Sequence, residues 1–289
     1  MENLQKTHKS QVTIRQLESA DLNRAMLLKE QAGWNQTKTD WKIFLNLNKN
    51  GCFVAECDDL VIGTATTLVY DKTGWIAMVL VDRNFRRMKI GSRLFNRAME
   101  HLSGCICVKL DATPEGRLLY LKSDFKDEFE IVRMCASAGR FQIRSKIEIM
   151  LIEKSDLNEI AEYDRNAFGS QRKDLIEIIF SNNEDYAFKA VQNNKISGFV
   201  LGRRGSKFNQ IGPLVSDQPE TAFALMNAFM QNTNDKQFIL DVPRYQKKWL
   251  RTLLDNNFEE QRSFSRMYKG RLIKGNDAAV FATTGPDLG

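Results

Sequence analysis

The chain has 289 residues, and at roughly 150 residues per domain that length predicts two domains. A composition of 43% hydrophobic, 27% charged and 10% aromatic residues suits packed cores and excludes global disorder, and no apolar run reaches the ~20 residues that cross a bilayer. The net charge of +6 divides unevenly, +5 over residues 1–150 and +1 over residues 151–289, so a polyanionic or phosphorylated partner is expected for the first half.

Met1 to Ser10 is polar and lacks the apolar core of a secretory signal, so a cytoplasmic setting is expected. Five cysteines suit that reducing compartment, being an odd number for a disulfide framework. With only His8 and His101, and neither a CxxC nor another metal spacing, no metal is expected. Cys105 and Cys107, two apart on a strand, read as small core fillers.

A strand over Val12–Arg15 leads to Glu18-Ser-Ala-Asp21-Leu-Asn, where Asp21 is expected to cap a helix. The runs Leu60–Val69 and Trp75–Val81, parted by the turn signal Asp71-Lys-Thr-Gly74, predict a hairpin. A helix follows over Gly91–Leu102, with Leu94, Phe95, Ala98, Met99 and Leu102 as its buried stripe. The strand Val108-Lys-Leu-Asp111 and a helix ending at Phe125 come next, then Arg133-Met134.

The same landmarks then return in the same order. Glu153-Lys-Ser-Asp156-Leu-Asn follows a strand over Ile147–Leu151 at an offset of 135. Ile196-Ser-Gly198 repeats the apolar run about Gly63, again at 135. Phe238-Ile-Leu-Asp241-Val-Pro243 answers Asp111 to Pro114 at 130, and Arg266-Met267 answers Arg133-Met134 at 133. The chain is a duplicated unit with a boundary near 139–147, each copy alternating strands with helices in an α/β arrangement.

The most informative segment runs from the strand Trp75–Val81 through Asp82–Lys89 into the helix opened by Ile90-Gly91-Ser92. Unpaired amides of a helical first turn, the helix dipole and a close-approach glycine favour a phosphate there. Arg83, Arg86, Arg87, Lys89, Arg93 and Arg97 add six cations, and residues 83–97 hold no acid. The bland reading is a solvated basic helix face.

Arg86-Arg87-Met88-Lys89-Ile90-Gly91-Ser92 resembles motif A of the GNAT acetyltransferases, with Lys89 where the first motif glycine usually stands. Asp111-Ala-Thr-Pro114 and Tyr120-Leu-Lys-Ser-Asp124-Phe125 resemble that family's next strand and helix, with Asp124 in place of a glycine. Together with Gly33-Trp34-Asn-Gln-Thr-Lys-Thr-Asp40-Trp41, these look like a two-domain branch of the superfamily. The resemblance implies two tandem GNAT-like domains, each a mixed, mostly antiparallel twisted sheet flanked by helices. Residues 1–145 would form an acetyl-CoA-binding domain, and residues 146–289 a degenerate copy lacking the pyrophosphate loop.

The implied activity is N-acetyl transfer from acetyl-CoA to a small-molecule amine by direct attack in a ternary complex, with no metal, nucleic acid or membrane. By the same resemblance Met78, Val79, Leu80 and Val81 would line the pantetheine and acetyl group. Arg86, Arg87, Met88, Lys89, Ile90, Gly91 and Ser92 would hold the pyrophosphate, and Tyr120 would protonate the departing thiolate. Trp34 and Trp41 would lie over the acceptor; as residues alone they suit core packing better. Glu30, Asp40, Glu56 and Asp111 are the carboxylates from which a base could come, with Asp111 better suited to capping the next turn.

In the second half the connection Ser216-Asp217-Gln-Pro219 has neither glycine nor arginine, Pro219 removes an amide donor, and Asp217 puts negative charge at the phosphate position. Coenzyme binding is therefore expected to be lost there. Trp249 falls in the helix matching that of Tyr120, Arg203-Arg204-Gly205 reads as a solvated basic hairpin, and Phe281–Gly289 is apolar enough to dock. Two other classes stay open: a non-catalytic acyl-CoA-binding or regulatory protein, favoured by Lys89 and Asp124, and a nucleic-acid binder using residues 83–97. The absence of interleaved aromatics ranks the second last.

Overall fold

The computed structural model describes residues 11–137, 147–232 and 237–289. Its first repeat runs β1 (Thr13–Gln16), α1 (Leu22–Ala32), α2 (Lys38–Asn48), β2 (Cys52–Cys57), β3 (Leu60–Tyr70), β4 (Thr73–Val81), α3 (Ile90–His101), β5 (Cys107–Ala112), α4 (Pro114–Leu121) and β6 (Lys126–Ser137). The second runs β7 (Glu148–Leu151), α5 (Leu157–Phe168), α6 (Lys173–Asn182), β8 (Phe188–Gln192), β9 (Lys195–Arg204), β10 (Asn209–Ser216), α7 (Pro219–Gln231), β11 (Gln237–Pro243), α8 (Lys247–Asp255) and β12 (Glu259–Gly270). A short β13 (Val280–Ala282) follows the second copy. The expected boundary at 145/146 lies outside the described residues. Among the described residues no helix is long and apolar enough to cross a membrane.

Local chemistry repeats as well. Glu18 N–H donates to Asp21 Oδ2 at 2.9 Å, and Glu153 N–H donates to Asp156 Oδ2 at 2.8 Å, so both aspartates close reciprocal capping boxes before α1 and α5. Their oxygens serve the residue three positions earlier; neither makes the side-chain cap to the following helix that the sequence predicts. Asp111 does not cap α4 either. Thr113 does, accepting from Gly116 N–H at 3.2 Å.

The sheet is mixed, mostly antiparallel and flanked by helices, as expected. It is also a single sheet, ordered β1-β2-β3-β4-β5-β12-β6-β11-β10-β9-β8-β7 with β13 beside β10. The last strands of the two repeats have changed places. β12 pairs with β5 of the first repeat, and β6 pairs with β11 of the second. β6 and β12 also pair with each other, which welds the halves.

Alternating residues feed two faces, as strand geometry requires. On β2, Cys52 and Val54 join a core shared with α1, α2, α5 and α6 of both repeats, while Phe53 and Ala55 join the core under α3 and α4. A third core, under α7 and α8, belongs to the second repeat together with Val132, Met134 and Ala136 of β6.

Candidate active site

The site begins with a bulge. Across β3 and β4, Thr66 opposes Ala77 but Thr64 opposes Leu80, so Met78 and Val79 together face Ala65. Met78 takes φ +52°, and the extra residue puts Ala77 and Met78 on one face, resetting the alternation so that Val79 and Val81 turn toward α3. Thr64 and Thr66 hydroxyls secure the distortion by donating to the Met78 and Ala77 carbonyls at 2.7 and 3.2 Å. Parallel pairing of β4 with β5 stops at Trp75↔Lys109, and the strands splay beyond it.

A cleft of about 1040 Å3 runs from the splay to the start of α3. Val79, Leu80 and Val81 line one side, and Thr113, Gly116 and Tyr120 another. Its cationic end is Arg83, Arg86, Arg87 and Lys89, followed by Ile90, Gly91 and Ser92 of the first helical turn. Asp82 anchors this loop from within, accepting from Asn84 N–H at 3.0 Å and from Gln31 at 3.1 Å, and pairing with Arg24. Burial pushes its carboxyl upward, but these bonds and the Arg24 charge hold it below the usual aspartate range.

The two departures from the motif keep the conformation that a glycine would supply. Lys89 has φ +59° at the N-cap of α3, and Asp124 has φ +63° after α4. Arg87, at +65°, is a second left-handed residue in the loop. Such conformations cost a non-glycine residue about 1–2 kcal/mol. The six cations do not act as one patch, however. Arg93 turns to the Val12 carbonyl at 2.9 Å, and Arg97 to Glu100 and the Phe53 ring.

At the splay the cleft meets an inner cavity of about 120 Å3, and Trp34, Val79, Thr113, Gly116, Tyr120, Arg262 and Phe264 border both. Tyr120 packs on Phe95 and Phe125, and burial pushes its phenol up to about 12. Asp111 and Asp287 line the cavity, but each is held by an arginine, Arg266 at 2.8 and 2.9 Å and Arg203 at 2.8 and 3.0 Å. Arg262, from the exchanged strand β12, has a buried Nε with no hydrogen-bond partner. Burial and the nearby Arg133 push its guanidinium down to about 10.

The structure therefore brings Met78 to Val81, Arg86, Arg87, Lys89 to Ser92, Tyr120 and Trp34 around connected cavities. Met88 sits in the same loop but points outward, 56% exposed and bordering neither cavity. Trp41 is not brought there: it is wholly buried in the core shared by the two halves, because α2 turns its apolar stripe of Trp41, Ile43 and Phe44 inward. Of the four carboxylates considered from sequence, only Asp111 reaches the cavity. Glu30 is exposed on α1, Glu56 pairs with Arg15, and Asp40 pairs with Arg203.

Arg203 overturns the expected solvated hairpin. It is buried and clamped by Asp40, Asp287 and the Thr284 carbonyl, tying α2 to the C-terminal segment. Gln36, Arg133, Arg262, Phe264, Pro286 and Asp287 also line the inner cavity and were not legible as site residues. Arg262 and Phe264, two apart on a strand, share a face, but nothing local shows which repeat's strands receive them.

In the second repeat β10 and β11 pair only from Asn209 to Ile211 and then splay as well. There the gap is filled: β13 pairs with β10, and Thr283 bridges to Asp241. Phe281 of β13 stacks edge-on against Trp249 at 5.5 Å, on the helix that matches the one bearing Tyr120. The C-terminal strand thus fills in the second copy the opening that stays accessible in the first.

The site is thus a bulged strand splayed from its parallel neighbour, with a cationic loop and a helix start at its end. Residues 19–120 match the acetyltransferase (GNAT) family, and residues 160–282 match an acetyltransferase (GNAT) domain. The protein belongs to the GNAT superfamily, in its two-domain branch, and is an acyltransferase. Holothin acyltransferase of Pseudoalteromonas sp. (strain SANK 73390) is 24% identical over 260 residues, covering 89% of this chain and 87% of that protein. The uncharacterized N-acetyltransferase YitH of Bacillus subtilis (strain 168) is 20% identical over 201 residues, 69% and 71% of the two chains. A solved structure from Pyrococcus horikoshii shares the fold at a TM-score of 0.81, with 24% identity and 96% of each chain covered. A tandem GNAT protein from the clavulanic acid biosynthesis pathway does so at 0.63, with 11% identity, over 90% of this chain and 98% of that one.

Proposed function

We propose that the protein moves an acetyl group from acetyl-CoA to the amine of a small molecule, in a ternary complex held by the first repeat. The observation that carries this reading is the continuity of the cleft. One end offers helix-start amides and four cations for a pyrophosphate, and the other reaches the Tyr120 ring through the splay. The cradle suits a close visitor: a Cβ built at Gly91 would meet only Val81 Cγ2, at 3.5 Å, so the fold itself does not demand glycine there. With its splay filled by β13, the second repeat contributes no coenzyme site.

In the proposed reaction the neutral amine attacks the thioester carbon, the C–S bond breaks, and Tyr120 donates its proton to the departing sulfur. The amine's surplus proton passes to water. A phenol at about 12 is a weak donor to a thiol of ordinary pKa ~8.5. A leaving sulfur sheltered from water has its own thiol pKa raised by desolvation, which narrows that gap. The β4 backbone beside the bulge, left without a β5 partner beyond Trp75, supports the pantetheine arm, and Trp34 borders the place of the amine.

Calorimetric titration with acetyl-CoA, followed by thiol release over a panel of primary amines, tests the reading. Binding in the micromolar range with amine-dependent thiol release is expected. Absence of binding at about millimolar acetyl-CoA would overturn it.

A further inference from the structure

Four arginines buried along the seam are each matched to acid. Arg133 holds Asp241, Arg266 holds Asp111, Arg172 holds Asp164, and Arg203 holds Asp40 and Asp287. Arg262 makes no ion pair of its own among the described residues: the charge of Asp241, held by Arg133, acts on it, and its buried Nε has no hydrogen-bond partner. It stands directly opposite Arg133 in the β12–β6 register, and both guanidinium groups lie over the Phe264 ring, at 5.0 and 5.1 Å. A like-charge cross-strand pair of which only one member is neutralised costs stability.

Arg262 borders three spaces at once. These are the inner cavity, the long cleft, and an adjoining depression of about 260 Å3 lined by Gly33, Asn35, Lys207, Phe208 and Gln261 together with Arg133. That depression has cations but no acid on its walls. The two acids of the inner cavity are already committed to Arg266 and Arg203. Beyond the charge of Asp241, which Arg133 holds, no acid faces Arg262, and a ligand carboxylate would supply the partner that its buried Nε lacks.

We propose that Arg262 receives a carboxylate of the acceptor, so that the substrate class is amines bearing a carboxylate, such as amino acids, and not simple alkylamines or polyamines. This rests on the reading of the inner cavity as the site of acetyl transfer. A planar guanidinium with unpaired N–H groups fits a carboxylate in a fork, and Trp34 and Phe264 flank the chain between the two ends of such a molecule. A second-repeat strand thereby sets the specificity of a first-repeat site.

The test titrates the full chain, with and without saturating coenzyme A, using glycine, 4-aminobutyrate and 5-aminopentanoate. Methylamine, propylamine and butylamine are the counterparts lacking the carboxylate, and phosphoethanolamine is the phosphate arm. Aminocarboxylates are expected to bind at least about tenfold more tightly than their counterparts, and Arg262→Gln to abolish the difference. Coenzyme A affinity should change less than about twofold in that variant, and its ligand-free Tm should not fall, since a half-buried cation set against Arg133 has been removed. Equal binding of the matched amines, preference for phosphoethanolamine, or loss of coenzyme A affinity in Arg262→Gln would each overturn the assignment. Failure of coenzyme A to bind the wild type is a separate result: it overturns the transfer reading, while the aminocarboxylate titration without coenzyme still reads Arg262.

Discussion

Arg133 and Asp241 are register partners across β6 and β11, joined by two hydrogen bonds of 2.8 Å, and Arg266 and Asp111 repeat the arrangement across β12 and β5. The four residues are the duplicated landmarks of the sequence, and each copy's arginine pairs with the other copy's aspartate. Both pairs are buried, so removing one partner strands a charge. Asp241→Asn is expected to lower unfolding free energy by about 3–5 kcal/mol, read by urea denaturation. Arg133→Met with Asp241→Leu should recover most of that loss. A double variant no more stable than the single would show that the pair acts in some way other than charge pairing.

Substitution at Gly91 is expected to separate coenzyme binding from folding. A methyl group there finds ordinary contact distance, so Gly91→Ala should leave stability equal or raise it by about 0.5–1 kcal/mol. Acetyl-CoA affinity should drop at least about tenfold as the methyl intrudes on the phosphate approach. Unchanged affinity would move the pyrophosphate away from the start of α3.

Lys89→Gly should behave differently. Relief of a left-handed lysine is expected to add about 1 kcal/mol of stability, while the cleft loses one of its cations. Affinity for acetyl-CoA should fall modestly and become less salt-dependent; a salt dependence identical to that of the wild type would exclude a phosphate contact by Lys89.

Tyr120→Phe is expected to lower kcat by about 100-fold or more, with acetyl-CoA affinity within about twofold of wild type. The pH profile carries a second check. The phenol must be protonated to act, and burial holds it up to about 12. Rates should therefore rise as the acceptor amine loses its proton and show no descending limb below about pH 11. A descending limb near about pH 9 that survives in Tyr120→Phe would belong to another group.

The two early tryptophans should part company. Trp41→Ala removes a wholly buried side chain and should cost about 3–5 kcal/mol in chemical denaturation. Trp34→Ala, at a half-buried position bordering both cavities, should raise the acceptor KM several-fold with a stability loss under about 2 kcal/mol. Equal stability losses would deny Trp34 its place at the site.

Much of this protein is readable along the chain. The β3–β4 hairpin, the α3 stripe, the cationic loop and the tandem repeat all follow from local periodicity, turn residues and spacing, because hydrogen bonding within an element and burial of one face depend on near neighbours. Lys89 and Asp124 read as departures from a motif, yet a positive φ is available to any residue whose surroundings enforce it, and both adopt it. Trp41 and Trp34 are chemically alike, and only the direction in which α2 and the segment before it point separates a core residue from a cavity wall.

The partners of the final strands are a tertiary decision. β6 and β12 have similar patterns, and either could complete either repeat's part of the sheet; the choice falls to long-range pairing and to which aspartate lies opposite which arginine. That choice brings Arg262 into the first repeat's cavity and lets β13 seal the second's. The sequence by itself determined a duplicated acyltransferase fold with one cationic loop leading into a helix start. Only the folded chain decided which residues of the second copy border the first copy's cavity, because sheet pairing joins residues more than a hundred positions apart.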